Sequence, residues 1–177
     1  MSVPELRLQF EAALIPSLAK RYDYDDAGER HIIKVIAPAA KQRGYFTRAE
    51  FIQVCRWKTQ RSGPRVRRND SGTVEEATRI ALSCDAERLR IGVLRTLEGV
   101  DWATASVFLH FGHEDRYPII DFRALESLGI PRGTVYTFDL WIAYVRCCRD
   151  LADQTRADMR TLDRALWQWS NERNPVG

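Results

Sequence analysis

The chain has 177 residues, is 45% hydrophobic and 29% charged, and carries a formal net charge of +3 at pH 7. That is enough chain for one globular domain with a real core, read here as spanning residues 1–177. No stretch approaches the ~18 uninterrupted apolar residues of a membrane span, and "MSVPELRLQF" has charges where a secretory leader needs an apolar run, so a cytoplasmic protein is expected.

The opening segment "SVPELRLQFEAALIPSLAKRY" predicts a helix, with Ser2 and Glu5 as a capping box and Pro4 in the first turn. Apolar positions recur at helical spacing in "ERHIIKVIAPAAKQRG", which ends at Gly44. Thr47 and Glu50 form a second box and start a helix through Phe51, Val54 and Cys55 to about Gln60. From Arg56 to Arg68, "RWKTQRSGPRVRR" holds basic residues and no acidic one, with Ser62-Gly63-Pro64 reading as a turn. A basic loop here is either a solvated linker or a phosphate-contact surface, since clustered arginines supply most non-specific nucleic-acid affinity.

Thr73 and Glu76 predict a third capping box before "EEATRIALS", and a charged helix follows over residues 86–97. The stretch "LRTLEGVDWATASVFLHFGHEDRYPIID" then predicts a tight helical hairpin turning at Gly99, with its second helix starting near Trp102. Such a turn aims backbone N–H groups at a phosphate. Near the C-terminus, Leu140, Trp141, Tyr144, Val145 and Cys148 form one helical stripe, and Met159, Leu162, Leu166 and Trp169 another; both read as core. No alternating strand pattern runs beyond a few residues, so the class is all-α. Cys55, Cys84, Cys147 and Cys148 lack paired C-x-x-C spacing, which argues for buried free thiols rather than a zinc site or a four-cysteine iron–sulfur cluster. His31, His110 and His113 lie on or beside apolar helices without metal-ligand spacing, so no metal is expected.

"LEGVDWATASVFL" followed by "YPIID" resembles the helix-hairpin-helix DNA glycosylases, closest to the branch that removes adenine from mismatches. The resemblance covers residues 89–130, about a quarter of the chain, and rests on Leu97, Gly99, Val100, Thr104, Ala105, Pro118, Ile119 and Asp121. It implies a multi-helix fold of two lobes flanking a cleft, and it places Asp121 on the family's catalytic aspartate. The departures are specific. Glu98 and Asp101 stand where proline and a second glycine are usual, Ala103 occupies the Schiff-base lysine position, and Gln53 falls where the adenine branch has a catalytic glutamate. A glutamine cannot protonate a leaving base, and without the lysine no strand-nicking lyase step is expected.

Breaking an N-glycosidic bond builds positive charge on the sugar, which a fixed carboxylate stabilises while activating water. The base must first leave the stack and enter a pocket. Trp57 and Gln53 are the candidates for that pocket, and Lys58 is a candidate to hydrogen-bond or protonate the departing base. Gly99, Val100, Trp102 and Thr104 of the hairpin, with Arg61, Arg65, Arg67 and Arg68, are the candidate DNA contacts. Asp121 also precedes "FRALESLG", so it reads equally as a helix N-cap, and the two roles are compatible. The expectation is a monomeric, cofactor-independent, monofunctional DNA glycosylase acting on a damaged, mismatched or modified base, in repair or in defence against foreign DNA. The short segment from Gln60 to Thr73 suits an open pocket and a bulky base. The alternatives are a non-catalytic helix-hairpin-helix DNA-binding protein and an interaction protein whose acidic hairpin no longer touches nucleic acid.

Overall fold

The computed structural model describes residues 5–22, 26–114 and 116–175, and among these no strand occurs. The helices are α1 (Ile15–Arg21), α2 (Asp26–His31), α3 (Ala37–Arg43), α4 (Arg48–Lys58), α5 (Gly63–Val66), α6 (Ser71–Ser83), α7 (Glu87–Leu94), α8 (Trp102–Gly112), α9 (Phe122–Glu126), α10 (Phe138–Thr155) and α11 (Met159–Arg173). The all-α class is therefore as the sequence predicts. Among the described residues no helix is long and apolar enough to cross a membrane. The chain divides into two units: residues up to 22 together with those from 116 onward form one, and residues 26–114 form the other.

The second unit is built around α8, which is buried on nearly every face from Trp102 to Gly112. Phe108 from α8 meets Phe51 of α4 in a stack at 5.4 Å and Phe46 edge-on at 5.0 Å. The capping box at the start of α4 forms as read: Thr47 Oγ1 accepts from the Glu50 N–H, and Glu50 Oε2 accepts from the Thr47 N–H at 2.8 Å. Between α2 and α3 the helix widens into a π turn over Ile32–Ile36, where the Ala37 N–H reaches back to the Ile32 carbonyl. The turn comes just before Pro38, whose ring cannot occupy an α-helix interior.

Three expectations need correction. Ser2 and Pro4 lie outside the described residues, but residues 5–11 are not helical. Arg7 and Gln9 give their N–H groups to the Leu128 and Ser127 carbonyls at 2.9 and 3.0 Å, and α1 begins only where Pro16 can sit in its first turn. The third capping box does not form either. Asp70 caps α6, taking the Thr73 N–H at 2.9 Å and its hydroxyl at 2.6 Å, so Thr73 is inside the first turn rather than at its edge. The hydrogen bonds from Thr73 hold the Asp70 carboxyl below its ordinary range. Finally, the basic stretch is not a loop. Gln60–Ser62 form a 3-10 turn that runs directly into α5. Of the four thiols, Cys55 and Cys148 are buried as expected, whereas Cys84 and Cys147 are half-exposed.

α7 and α8 are joined by a short turn whose glycine, Gly99, has φ +80°. A Cβ there would sit 2.8 Å from Val66 Cγ1 and 3.1 Å from the Val66 backbone nitrogen. The turn thus demands glycine twice, for backbone angle and for close approach to α5. Gly133, at φ +89° with nothing within 4 Å of its missing Cβ, demands it only once. Gly133→Ala is expected to cost about 1 kcal/mol, the left-handed penalty alone. Gly99→Ala is expected to cost about 2–4 kcal/mol, because overpacking adds to that penalty. Equal losses in denaturant unfolding would show that the contact with Val66 yields freely.

Candidate functional site

In the first unit, Asp121 is the N-cap of α9 and accepts the Ala124 N–H at 2.9 Å. Its side chain is half-buried. The segment leading to it, Tyr117 to Ile120, is irregular and almost wholly buried, so its peptide groups need partners. Ile119 shows how they are found. Its N–H is accepted by the buried Asp163 carboxylate of α11, at 3.2 and 3.3 Å, and its carbonyl accepts the Tyr144 hydroxyl of α10 at 2.8 Å. Upstream, the Tyr117 ring stacks parallel to Trp141 at 6.1 Å, and Arg149 lies over the same Tyr117 ring at 4.7 Å while donating to the Arg116 carbonyl. The aspartate thus comes two residues after a position held at both its N–H and its carbonyl, and its own direction is fixed by its bond from the Ala124 N–H.

Burial pushes the Tyr144 phenol well above its ordinary range, with smaller contributions from nearby groups that include Asp163 and Asp121. Tyr144 thus stays a neutral donor. Neither Tyr144 nor Asp163 is among the candidate residues read from the sequence. Tyr144 lies in an apolar stripe and is legible there only as core, and Asp163 falls between two core positions of α11.

Arg123, next along the chain, is nearly buried, and burial lowers its pKa, as does the neighbouring Arg132, while the charges of Asp121 and Glu126 act the other way. The carboxylate of Asp121 thus lies within the field of a buried guanidinium.

In the second unit, Gln53 and Trp57 line a common cavity of about 240 Å³ with Gly28, His31, Ile32, Arg56 and Gln60. Gln53, Arg56, Trp57 and Gln60 follow helical spacing, so a single face of α4 and its extension supplies them. Trp57 is buried edge-on against Phe111 at 5.7 Å, and Gln53 is exposed, with its amide 3.4 Å from the Ala49 carbonyl. Lys58 is half-buried at the end of α4 and does not line this cavity.

The side chains of Val100, Trp102 and Thr104 are buried, at 7%, 7% and 3% exposure, so only the backbone of the turn is left to face a ligand. Much of that backbone is occupied. The Glu98 N–H and carbonyl both bond to the Asn69 side chain, at 2.8 and 2.9 Å, the Val100 N–H bonds to the Leu97 carbonyl at 3.1 Å, and the Trp102 N–H bonds to Asp101 at 2.8 Å. The two unexpected carboxylates have partners of their own: Glu98 pairs with Arg68 at 3.4 Å and Asp101 with Arg95 at 3.6 Å. Arg61, Arg65, Arg67 and Arg68 are all exposed. Arg48 fixes the end of this stretch by donating to the Arg67 and Asn69 carbonyls at 2.6 and 2.7 Å.

Compared with protein-family models, with curated proteins and with solved structures, the chain matches none.

Tyr144→Phe keeps the packing of α10 and removes only the hydroxyl. It leaves the Ile119 carbonyl buried without its donor, so unfolding free energy is expected to fall by about 1–3 kcal/mol. A change within measurement error in urea melts would mean that the Ile119 carbonyl is satisfied in another way.

Proposed function

We propose that the chain is a monofunctional DNA glycosylase in which Asp121 stabilises the sugar cation and directs water to it. What supports this is the fixed direction of Asp121: a half-buried carboxylate, capped onto α9, at the end of a peptide held by Tyr144 and Asp163. A preorganised charge is what a transition state with a cationic sugar requires, because no reorganisation is then needed when the charge appears. As the C1′–N bond breaks, its electron pair leaves with the base. Water then adds its oxygen to C1′, and its proton ends on solvent or the departing base.

Ala103, on α8, stands where an amine nucleophile would be, so hydrolysis without a covalent DNA adduct is the expected course. The exposed arginines at 61, 65 and 67, in the other unit, are the candidate phosphate contacts of this proposal. A second reading, a DNA-binding protein without catalysis, is favoured by one observation: Gln53 leans on the carbonyl of its own helix as an ordinary surface side chain does, at the position where the adenine branch carries its acid.

The test is base release from a panel of damaged, mismatched and hypermodified duplexes, read by mass spectrometry of the free base. The parent chain is expected to release one class of base, to leave an intact abasic strand and to give no borohydride-trapped adduct. Asp121→Asn retains a side-chain oxygen for the Ala124 N–H, so its stability is expected to change by less than about 1 kcal/mol. Its base release is expected to fall by about 10²–10³-fold, since an electrostatic group is lost from the transition state. Parental turnover by Asp121→Asn would reduce Asp121 to a cap, and binding without release by the parent chain would favour the non-catalytic reading.

A further inference from the structure

The first unit carries a feature that the charge pattern along the chain conceals. Arg132, Phe122, Arg123, Trp167, Tyr22 and Arg160 come from four stretches of sequence and form a continuous row of guanidiniums and rings, in which Trp167 and Tyr22 are neighbouring rings and Arg123 is buried. Arg132 lies over the Phe122 ring at 4.5 Å. Arg123 lies between Phe122, at 5.2 Å, and Trp167, at 5.1 Å. Trp167 meets Tyr22 edge-on at 5.2 Å, and Arg160 lies over Tyr22 at 5.1 Å. Phe122 follows Asp121 directly and keeps 38% of its surface exposed.

Arg132, whose side chain is half exposed, is held along one edge. It lies in a tight turn closed by the Thr134 N–H on the Pro131 carbonyl at 3.2 Å. Its Nε and Nη2 donate side by side to Glu126, at 3.0 and 3.3 Å, and Glu126 is itself held by the Ser170 hydroxyl at 2.6 Å. Nη1 has no hydrogen-bond partner among the described residues. A planar guanidinium anchored on one edge, braced on a ring and left with unused donors on the other edge has already lost the rotamer freedom that binding would otherwise remove. At its exposed end the row sets a cation, Arg132, beside a ring, Phe122, the pairing that a surface following a nucleic-acid strand uses, with cations for phosphates and planar groups for bases.

We propose that this ladder is a second DNA-contact surface, gripping the strand beside the nucleotide on which Asp121 acts, with Arg132 as its phosphate contact. The proposal rests on DNA being the partner, as above, and extends it to residues that no basic run in the sequence marks.

The test is fluorescence anisotropy of the full chain with a labelled single strand and with a duplex containing a central abasic analogue, over a range of NaCl concentrations. Arg132→Gln is expected to reduce the slope of log affinity against log salt by about 0.7–0.9, the value of one lost phosphate contact. Phe122→Leu preserves apolar volume, so it should fold, and is expected to weaken single-strand binding by about 5- to 100-fold through loss of the ring. Lys41→Gln, an exposed charge in the other unit, serves as control for the loss of one cation. If both ladder variants match that control while the parent chain still binds and releases base, the ladder is only a structural brace and the glycosylase assignment stands. If the parent chain shows no salt-dependent DNA binding at all, the ladder and the glycosylase assignment fall together.

Discussion

A buried peptide group outside a helix or sheet must find a partner, or the fold loses about the desolvation cost of that group. Much of what is distinctive here follows from how two such groups are satisfied. Ile119 is held by Asp163 below its N–H and Tyr144 at its carbonyl, and Glu98 has both its peptide groups taken by the amide of Asn69. Each unit thus uses buried polar side chains to give an irregular connection the rigidity of regular structure. In the first unit the result is an aspartate with a defined direction. In the second it is a turn pressed against α5 closely enough to exclude a Cβ at Gly99.

The turn between α7 and α8 shows which interactions carry weight. The pairs Arg68–Glu98 and Arg95–Asp101 are largely exposed to water, with side-chain exposures of 66% and 52% in the first and 35% and 83% in the second. Pairs of this kind contribute about 0–1 kcal/mol and weaken with salt. The Asn69 amide is 7% exposed, and it is the group that holds the turn. Gly99 is accordingly explained by its left-handed backbone and its packing against α5, and in the proposed function any contact of the turn with DNA falls to its remaining backbone and to the arginines beside it.

What the sequence disclosed and what it hid follow a physical division. Thr47 and Glu50 bond to each other's backbone within one turn, so the start of α4 was legible from four residues. The helical stripes of α10 and α11 were legible for the same reason, since their period is local. Near Asp70 two capping patterns overlap, and only the position of the helix axis decides that Asp70 rather than Thr73 is the cap. The end of the N-terminal helical pattern was hidden because residues 7 and 9 bond to the end of α9, far along the chain. Asp121 was singled out by the resemblance that "LEGVDWATASVFL" and "YPIID" carry, and its role as the cap of α9 was readable from "DFRALE". Tyr144 and Asp163, which lie 25 and 44 residues from Ile119, could not be read because nothing in an apolar helical stripe marks a hydroxyl or carboxylate as the partner of a distant peptide. The ladder of Arg132, Phe122 and Arg123 was hidden in the same way, since its cations are scattered along the chain rather than clustered.

The most direct measurement of this account is amide hydrogen exchange at Ile119. If the peptide is held by Asp163 and Tyr144, its N–H should exchange only as slowly as the buried amides of α10, through global unfolding rather than local opening. Exchange at Ile119 as fast as in the exposed turn at Arg132 and Gly133 would contradict it, and Asp121 would then be a carboxylate on a mobile connection rather than one of fixed direction.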